Sequence, residues 1–235
     1  MMTPRTLIFA LALTLVGCRS VTIGDSVGVT IRADANYAIP GATVSDLTRQ
    51  IETDAAWRSS IPGSDLVISI GGNDVMWYGA AYLFSGHWTA QHGEAVWLAS
   101  IHDEGVLRSA VATFRAEWLR MADDVTALAP RHVVVLTIYN PLVNITDATA
   151  QRYLRDLNDW IAGRACDRGW VPARVDIAFN GDGTRDPGAL IGADGLHPSE
   201  SGQQMIDQEI ASAHCLRAAT TTARPLPFTR SAARA

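Results

Sequence analysis

The sequence predicts one α/β domain over residues 20–215, built on a mostly parallel sheet with helices on both faces. Short apolar segments alternate with segments of helical periodicity. The short segments are apolar on both faces, as strands of a sheet covered on both sides are. The chain has 235 residues, 48% of them hydrophobic and 18% charged, enough to bury a sizeable core and too apolar for a disordered or fibrous class.

Val21-Thr22-Ile23 reads as a short buried strand ended by Gly24-Asp25-Ser26, and Asn36 to Ile39 as a second, ended by Pro40-Gly41. Thr43 to Ile51 has Val44, Leu47 and Ile51 on one helical face. Asp65 to Ile70 is the clearest strand and runs into Gly71-Gly72-Asn73-Asp74. Val106 to Leu128 carries an apolar stripe through Val111, Phe114, Trp118, Met121 and Val125, which predicts a long amphipathic helix. His132 to Ile138 is a fourth strand stopped by Asn140-Pro141. Ala148 to Cys166 is helical by the spacing of Tyr153, Leu157, Trp160 and Ile161. Trp170 to Ala178 is a fifth strand, and Ser199 to Cys215 a closing helix.

All 19 positive side chains are arginine, so chemistry that needs a lysine amine is excluded: Schiff bases, pyridoxal enzymes and P-loop phosphate cradles. The last twenty residues, 216–235, hold four arginines and no acid and read as an unstructured basic tail. Without that tail and the first seventeen residues, 14 arginines face 24 acids, a body unsuited to nucleic acid. No nucleic-acid partner is therefore expected.

Residues 1–18 follow the layout of a secretory signal: Arg5, an apolar run from Thr6 to Gly17, then Cys18. The run is too short to span a bilayer, which takes about 20 residues. Leu15-Val16-Gly17-Cys18 resembles the lipobox of bacterial lipoproteins, which implies membrane anchoring through an acylated Cys18. The expected location is the cell envelope or the exterior. There Cys166 and Cys215 could pair or remain two free thiols, and the sequence leaves both open.

Ligands of a parallel α/β sheet bind beyond the carboxyl ends of its strands. Gly24-Asp25-Ser26, Gly71-Gly72-Asn73-Asp74 and Asp194-Gly195-Leu196-His197-Pro198 all follow strands, so a serine, an amide and an Asp/His pair are expected at one edge. A serine nucleophile needs a base, and the base needs an orienting group. His197 and Asp194 can supply both from one short loop, and without lysine a Ser-Lys dyad is impossible. Oxyanion donors are available in the Asn73 side-chain amide and the backbone N–H groups of Gly41 and Ser26. Asp25 and Asp74 are read as acceptors for local backbone donors.

Gly24-Asp25-Ser26-Val27, Gly41, Gly71-x-Asn73-Asp74 and Asp194-x-x-His197-Pro198 together resemble the four ordered blocks of the SGNH, or GDSL-type, hydrolases. The resemblance implies a flavodoxin-like three-layer α/β/α sandwich with Ser26 as nucleophile and Asp194 and His197 completing the triad. By the same resemblance Ser26, Gly41 and Asn73 form the oxyanion hole, with no metal or organic cofactor. Two features depart from the pattern. Valine replaces leucine after Gly-Asp-Ser, as in the SGNH domains of some cell-wall O-acetyltransferases. Only nine residues separate Ser26 from Asn36, so the usual first helix is short or missing.

Between Val75 and Gly105 the aromatic residues Trp77, Tyr78, Tyr82, Phe84, Trp88 and Trp97 either line a substrate wall or fill core, and Trp77, Tyr78 and Trp88 are the candidates for substrate contact. His87, His92 and His102 match no zinc spacing. Asn144-Ile145-Thr146 has the form of a glycosylation acceptor, irrelevant if the signal is bacterial. The expected function is an exported serine esterase acting on a small-molecule or polysaccharide ester. The alternatives are an O-acyltransferase acting on a glycan and a catalytically silent binding lipoprotein. Acyl chain length, the alcohol and oligomeric state are not legible in the sequence.

Overall fold

A computed structural model describes residues 19–76, 104–143 and 148–215. Its sheet has five strands, all parallel, in the order β2-β1-β3-β4-β5: β1 Ser20–Gly24, β2 Ala35–Asn36, β3 Asp65–Ser69, β4 His132–Leu136 and β5 Val171–Ala173. Alternate residues of a strand face opposite ways. Val21, Ile23, Leu66, Ile68, Val133 and Val135 therefore enter one apolar layer, while Val67, Val134, Leu136 and Ala173 enter the other.

The first layer is closed by helices α1 (Val44–Thr53), α3 (Glu104–Ala127) and α4 (Ala148–Asp167). The stripe read from the sequence is the buried one in α3, with Phe114, Trp118, Met121 and Val125 fully enclosed. Trp118 packs edge-on against Trp160 with ring centroids 5.4 Å apart. The second layer is closed by α5 (Val175–Asn180) through Phe179 and by α6 (Glu200–Ser212) through Ile206. This is the expected three-layer α/β/α sandwich.

The fifth strand needs correction. Trp170–Ala178 is not one strand: β5 ends at Ala173, and Val175–Asn180 is helical. Val175 and Phe179, four residues apart, are both buried, whereas Ile177 is exposed, which is helical spacing. Asp176 holds the turn, accepting from Thr137 Oγ1 at 2.6 Å and from Arg174 through both of its oxygens. The short helix α2 (Ala55–Ser60) was not read from the sequence, although Asp54 caps it by accepting from the N–H groups of Ala56 and Trp57. Between β1 and β2 there is a single 3-10 turn, Gly28–Thr30, in keeping with the short spacing.

Cys166 and Cys215 form a disulfide with Cα atoms 5.7 Å apart. It joins the end of α4 to the chain beyond α6 at the amino edge of the sheet, just before β5 begins. The residues through Cys18 that read as a signal, the aromatic segment 77–103, the tail 216–235 and residues 144–147 lie outside the described residues.

Candidate active site

The strand order reverses direction between β1 and β3, and in an open α/β sheet the ligand crevice lies at that switch. Gly24 ends β1 with φ +142°, and a Cβ there would stand 1.8 Å from the Ser69 carbonyl oxygen. Glycine is therefore required for the chain to turn beside β3, where the Asp25 N–H donates to that oxygen at 2.7 Å. The Asp25 side chain turns inward, where it is 3% exposed and its Oδ1 accepts from Val27 N–H and Ser69 Oγ, each at 3.1 Å. Burial pushes its carboxyl up to about 6 against these hydrogen bonds. Ser26, next in the chain, is left half-buried at the edge.

The second group comes from the loop before α6. Its frame is backbone: Gly192 N–H donates to His197 O at 2.8 Å, Ser199 N–H donates to Leu190 O at 2.9 Å, and Ile191 bridges Pro198. Asp194 Oδ1 accepts from the N–H groups of Leu196 and His197, each at 3.0 Å, and Oδ2 lies 2.5 Å from His197 Nδ1. The Leu196 N–H, then the His197 ring and backbone, hold the Asp194 carboxyl down at about 2. An ionised carboxylate can only accept, so in the neutral ring Nδ1 carries the proton and Nε2 is left as acceptor. Nε2 lies 3.0 Å from Ser26 Oγ. Serine, histidine and aspartate thus form one hydrogen-bonded chain, along which the hydroxyl proton can pass to the imidazole.

Gly41 and Asn73 are brought together from different elements. Gly41 has φ +82°, a conformation that favours glycine, and it precedes Thr43, which opens α1 with a capping box to Asp46. Asn73 lies on a helical turn over residues 72–76, and its Nδ2 donates to Ala42 O at 2.9 Å. Asp74 accepts from Val44 N–H at 3.1 Å through Oδ2, as the local-acceptor reading expects, but from a segment thirty residues away. Burial, with Glu117 and Asp25 adding repulsion, pushes its carboxyl up to about 7.

Of the site residues read from the sequence, Ser26, Asp194 and His197 are connected directly, and Gly41 and Asn73 adjoin through Ala42. Trp77, Tyr78, Trp88 and Cys18 lie outside the described residues. Sequence reading missed Tyr139. It follows β4, stacks on Phe179 with centroids 4.6 Å apart, and donates its hydroxyl to Leu196 O at 2.7 Å, inside the Asp194–His197 loop. Burial raises its phenol above the ordinary range, so the hydroxyl stays a donor. The signal was available: a polar-tipped aromatic at the carboxyl end of a core strand.

The fold recurs in solved structures. A lipase, Lip_vut3, from a goat rumen metagenome is 16% identical with a TM-score of 0.64, over 84% of this chain and 98% of that one. Axe2, an acetylxylan esterase from Geobacillus stearothermophilus, is 21% identical with a TM-score of 0.52, over 82% and 92%. A member of the lipolytic protein G-D-S-L family from Veillonella parvula DSM 2008 is 12% identical with a TM-score of 0.53, over 81% and 94%. None of the curated proteins matches the chain. The sequence profile of the GDSL-like lipase/acylhydrolase family matches residues 23–205, from the end of β1 to the middle of α6. That span takes in every block that meets at the sheet edge, and the chain belongs to this family of ester hydrolases.

Proposed function

We propose that the protein is an exported serine esterase that cleaves carboxylic esters through an acyl-enzyme on Ser26. The observation that carries this reading is the chain from Asp194 through His197 to Ser26, at 2.5 and 3.0 Å. Ser26 Oγ attacks the ester carbonyl carbon as its proton moves to His197 Nε2, and Asp194 stabilises the resulting imidazolium. The oxyanion is met by the N–H groups of Ser26 and Gly41 and by the Asn73 amide. Collapse breaks the carbon–oxygen bond to the alcohol, which leaves with the proton from His197. Water then attacks the acyl carbon, giving its proton to His197, and Ser26 Oγ departs and recovers that proton. Ser26→Ala should abolish turnover of a p-nitrophenyl ester, and retention of most activity would overturn the assignment.

The acyl group and the alcohol belong to a substrate series. The structural neighbours include a lipase and an acetylxylan esterase, so a panel from acetyl to long-chain p-nitrophenyl esters, with acetylated xylan added, spans both. Export is supported by the signal-like residues before Arg19 and by the disulfide, which persists in oxidising compartments. We assign Cys18 as the lipid-bearing first residue of the mature chain, and mass spectrometry of the mature N-terminus tests it. A diacylglyceryl cysteine supports the anchor, and an unmodified N-terminus overturns it.

A further inference from the structure

Asn73 and Asp74 are consecutive on one helical turn, yet their side chains do different work on the same stretch of chain, residues 41–44. The Asn73 Nδ2 carries two hydrogens. One donates to Ala42 O, which fixes the plane of the amide and leaves the other free to meet an oxyanion. Asp74 is 3% exposed and holds the Val44 N–H between Oδ2 at 3.1 Å and Oδ1 at 3.3 Å.

Val44 is the first residue of α1, and its N–H is one of the donors that a helix leaves without an internal partner. Thr43 already caps this helix through Asp46, so the start of α1 has its ordinary local stabilisation. An ordinary helix start does not call for a second acid from a turn thirty residues away, least of all one whose burial makes its charge costly. The two bonds instead join the turn bearing Asn73 to the turn bearing Gly41 at two points, Ala42 and Val44. A single bond would leave a pivot, whereas two set both separation and angle.

We propose that Asp74 is a positioning residue: by holding the Val44 N–H it keeps the Gly41 N–H and the Asn73 amide at the spacing that receives the oxyanion. The proposal rests on the reading of Ser26 as nucleophile with Gly41 and Asn73 as donors, and names what keeps those donors in register. Its effect belongs to the transition state, so it falls on kcat rather than KM.

The test is steady-state hydrolysis of p-nitrophenyl acetate by Asp74→Ala, Asp74→Asn, Val44→Pro and the double variant Asp74→Ala/Val44→Pro, with thermal melting of each. Proline fits the first position of a helix and lacks the N–H, so Val44→Pro deletes the same bond from its other end. Asp74→Ala should lower kcat about 10- to 100-fold, the scale of a displaced oxyanion donor, with KM within about twofold. Asp74→Asn keeps an acceptor oxygen for Val44 and should restore kcat to within about threefold of the wild type. Val44→Pro should be slowed as Asp74→Ala is, and the double variant should be no slower than the worse single one, because both remove one bond.

Wild-type kcat in folded Asp74→Ala, an Asp74→Asn as slow as Asp74→Ala, or additive losses in the double variant would each overturn the proposal. If Asp74→Ala does not fold, Val44→Pro decides the question. Ser26→Ala separates this proposal from its parent. Turnover by Ser26→Ala overturns the nucleophile assignment and the positioning role with it, whereas an inactive Ser26→Ala beside a fully active Asp74→Ala overturns the positioning role alone.

Discussion

Replacing both Cys166 and Cys215 with serine should loosen the domain without slowing its chemistry. The disulfide spans 49 residues of sequence. Closing a loop of that length removes about 14 cal/mol/K from the unfolded chain, or about 4 kcal/mol at 25 °C. Both cysteines are half-buried, so the serines bring little desolvation cost of their own, and the loss should lie near the entropic figure. For a domain of this size the melting temperature should fall by roughly 8–16 °C. The bond lies at the amino edge of the sheet and Ser26 at the carboxyl edge, so kcat at 25 °C should be that of the wild type. Differential scanning calorimetry, paired with p-nitrophenyl ester kinetics below the transition, reads both quantities. A melting temperature unchanged by the substitutions, or peptide mapping that finds the two cysteines separately alkylated, would refute the reasoning. A slowed kcat in a folded variant would refute its second half.

Two other expectations follow from the buried groups. Asp25 and Asp74 have carboxyls raised to about 6 and about 7 from 3.8, so the folded chain keeps protons that the unfolded chain sheds as pH rises. Their contribution is fully present below the unfolded value and is lost through the folded ones, so unfolding free energy should fall between about pH 4 and pH 7. The order of magnitude is about 3 kcal/mol for Asp25 and about 4 for Asp74, an upper bound as a sum because the two interact. Urea unfolding at about pH 4 and pH 8 checks this, and Asp74→Asn should gain stability at the higher pH and little at the lower; the opposite slope refutes the assignment. Tyr139→Phe keeps the stacking on Phe179 and deletes the hydrogen bond to Leu196 O, at a cost of about 1 kcal/mol. It should lower kcat severalfold by loosening the Asp194–His197 loop, and rates equal to the wild type would remove Tyr139 from the site.

The layers of the fold were legible because burial on two faces leaves a periodic record. Leu66–Ile68 and Val133–Leu136 are unbroken apolar runs, Val21 and Ile23 flank a single threonine, and Phe114, Trp118, Met121 and Val125 repeat at helical spacing. The error at Val175–Asn180 has the same origin, since a short buried helix and a short buried strand are both brief apolar runs. What separates them is a contact between Asp176 and Thr137, thirty-nine residues apart, that no local pattern contains.

The residue types of the site, a serine, a histidine and an aspartate with the glycines that let the chain turn, were set by local chemistry and could be read in order along the chain. Their assembly was not local. Ser26 meets His197 across 171 residues, and Asp74 reaches Val44 across 30. The pairing of Cys166 with Cys215, which the sequence left open, also depended on where α4 and the end of α6 come to rest. Periodicity and turn chemistry are written into neighbouring residues, whereas distances between remote residues arise only when the sheet closes and its helices pack, and the proposed proton transfer and oxyanion stabilisation depend on those distances.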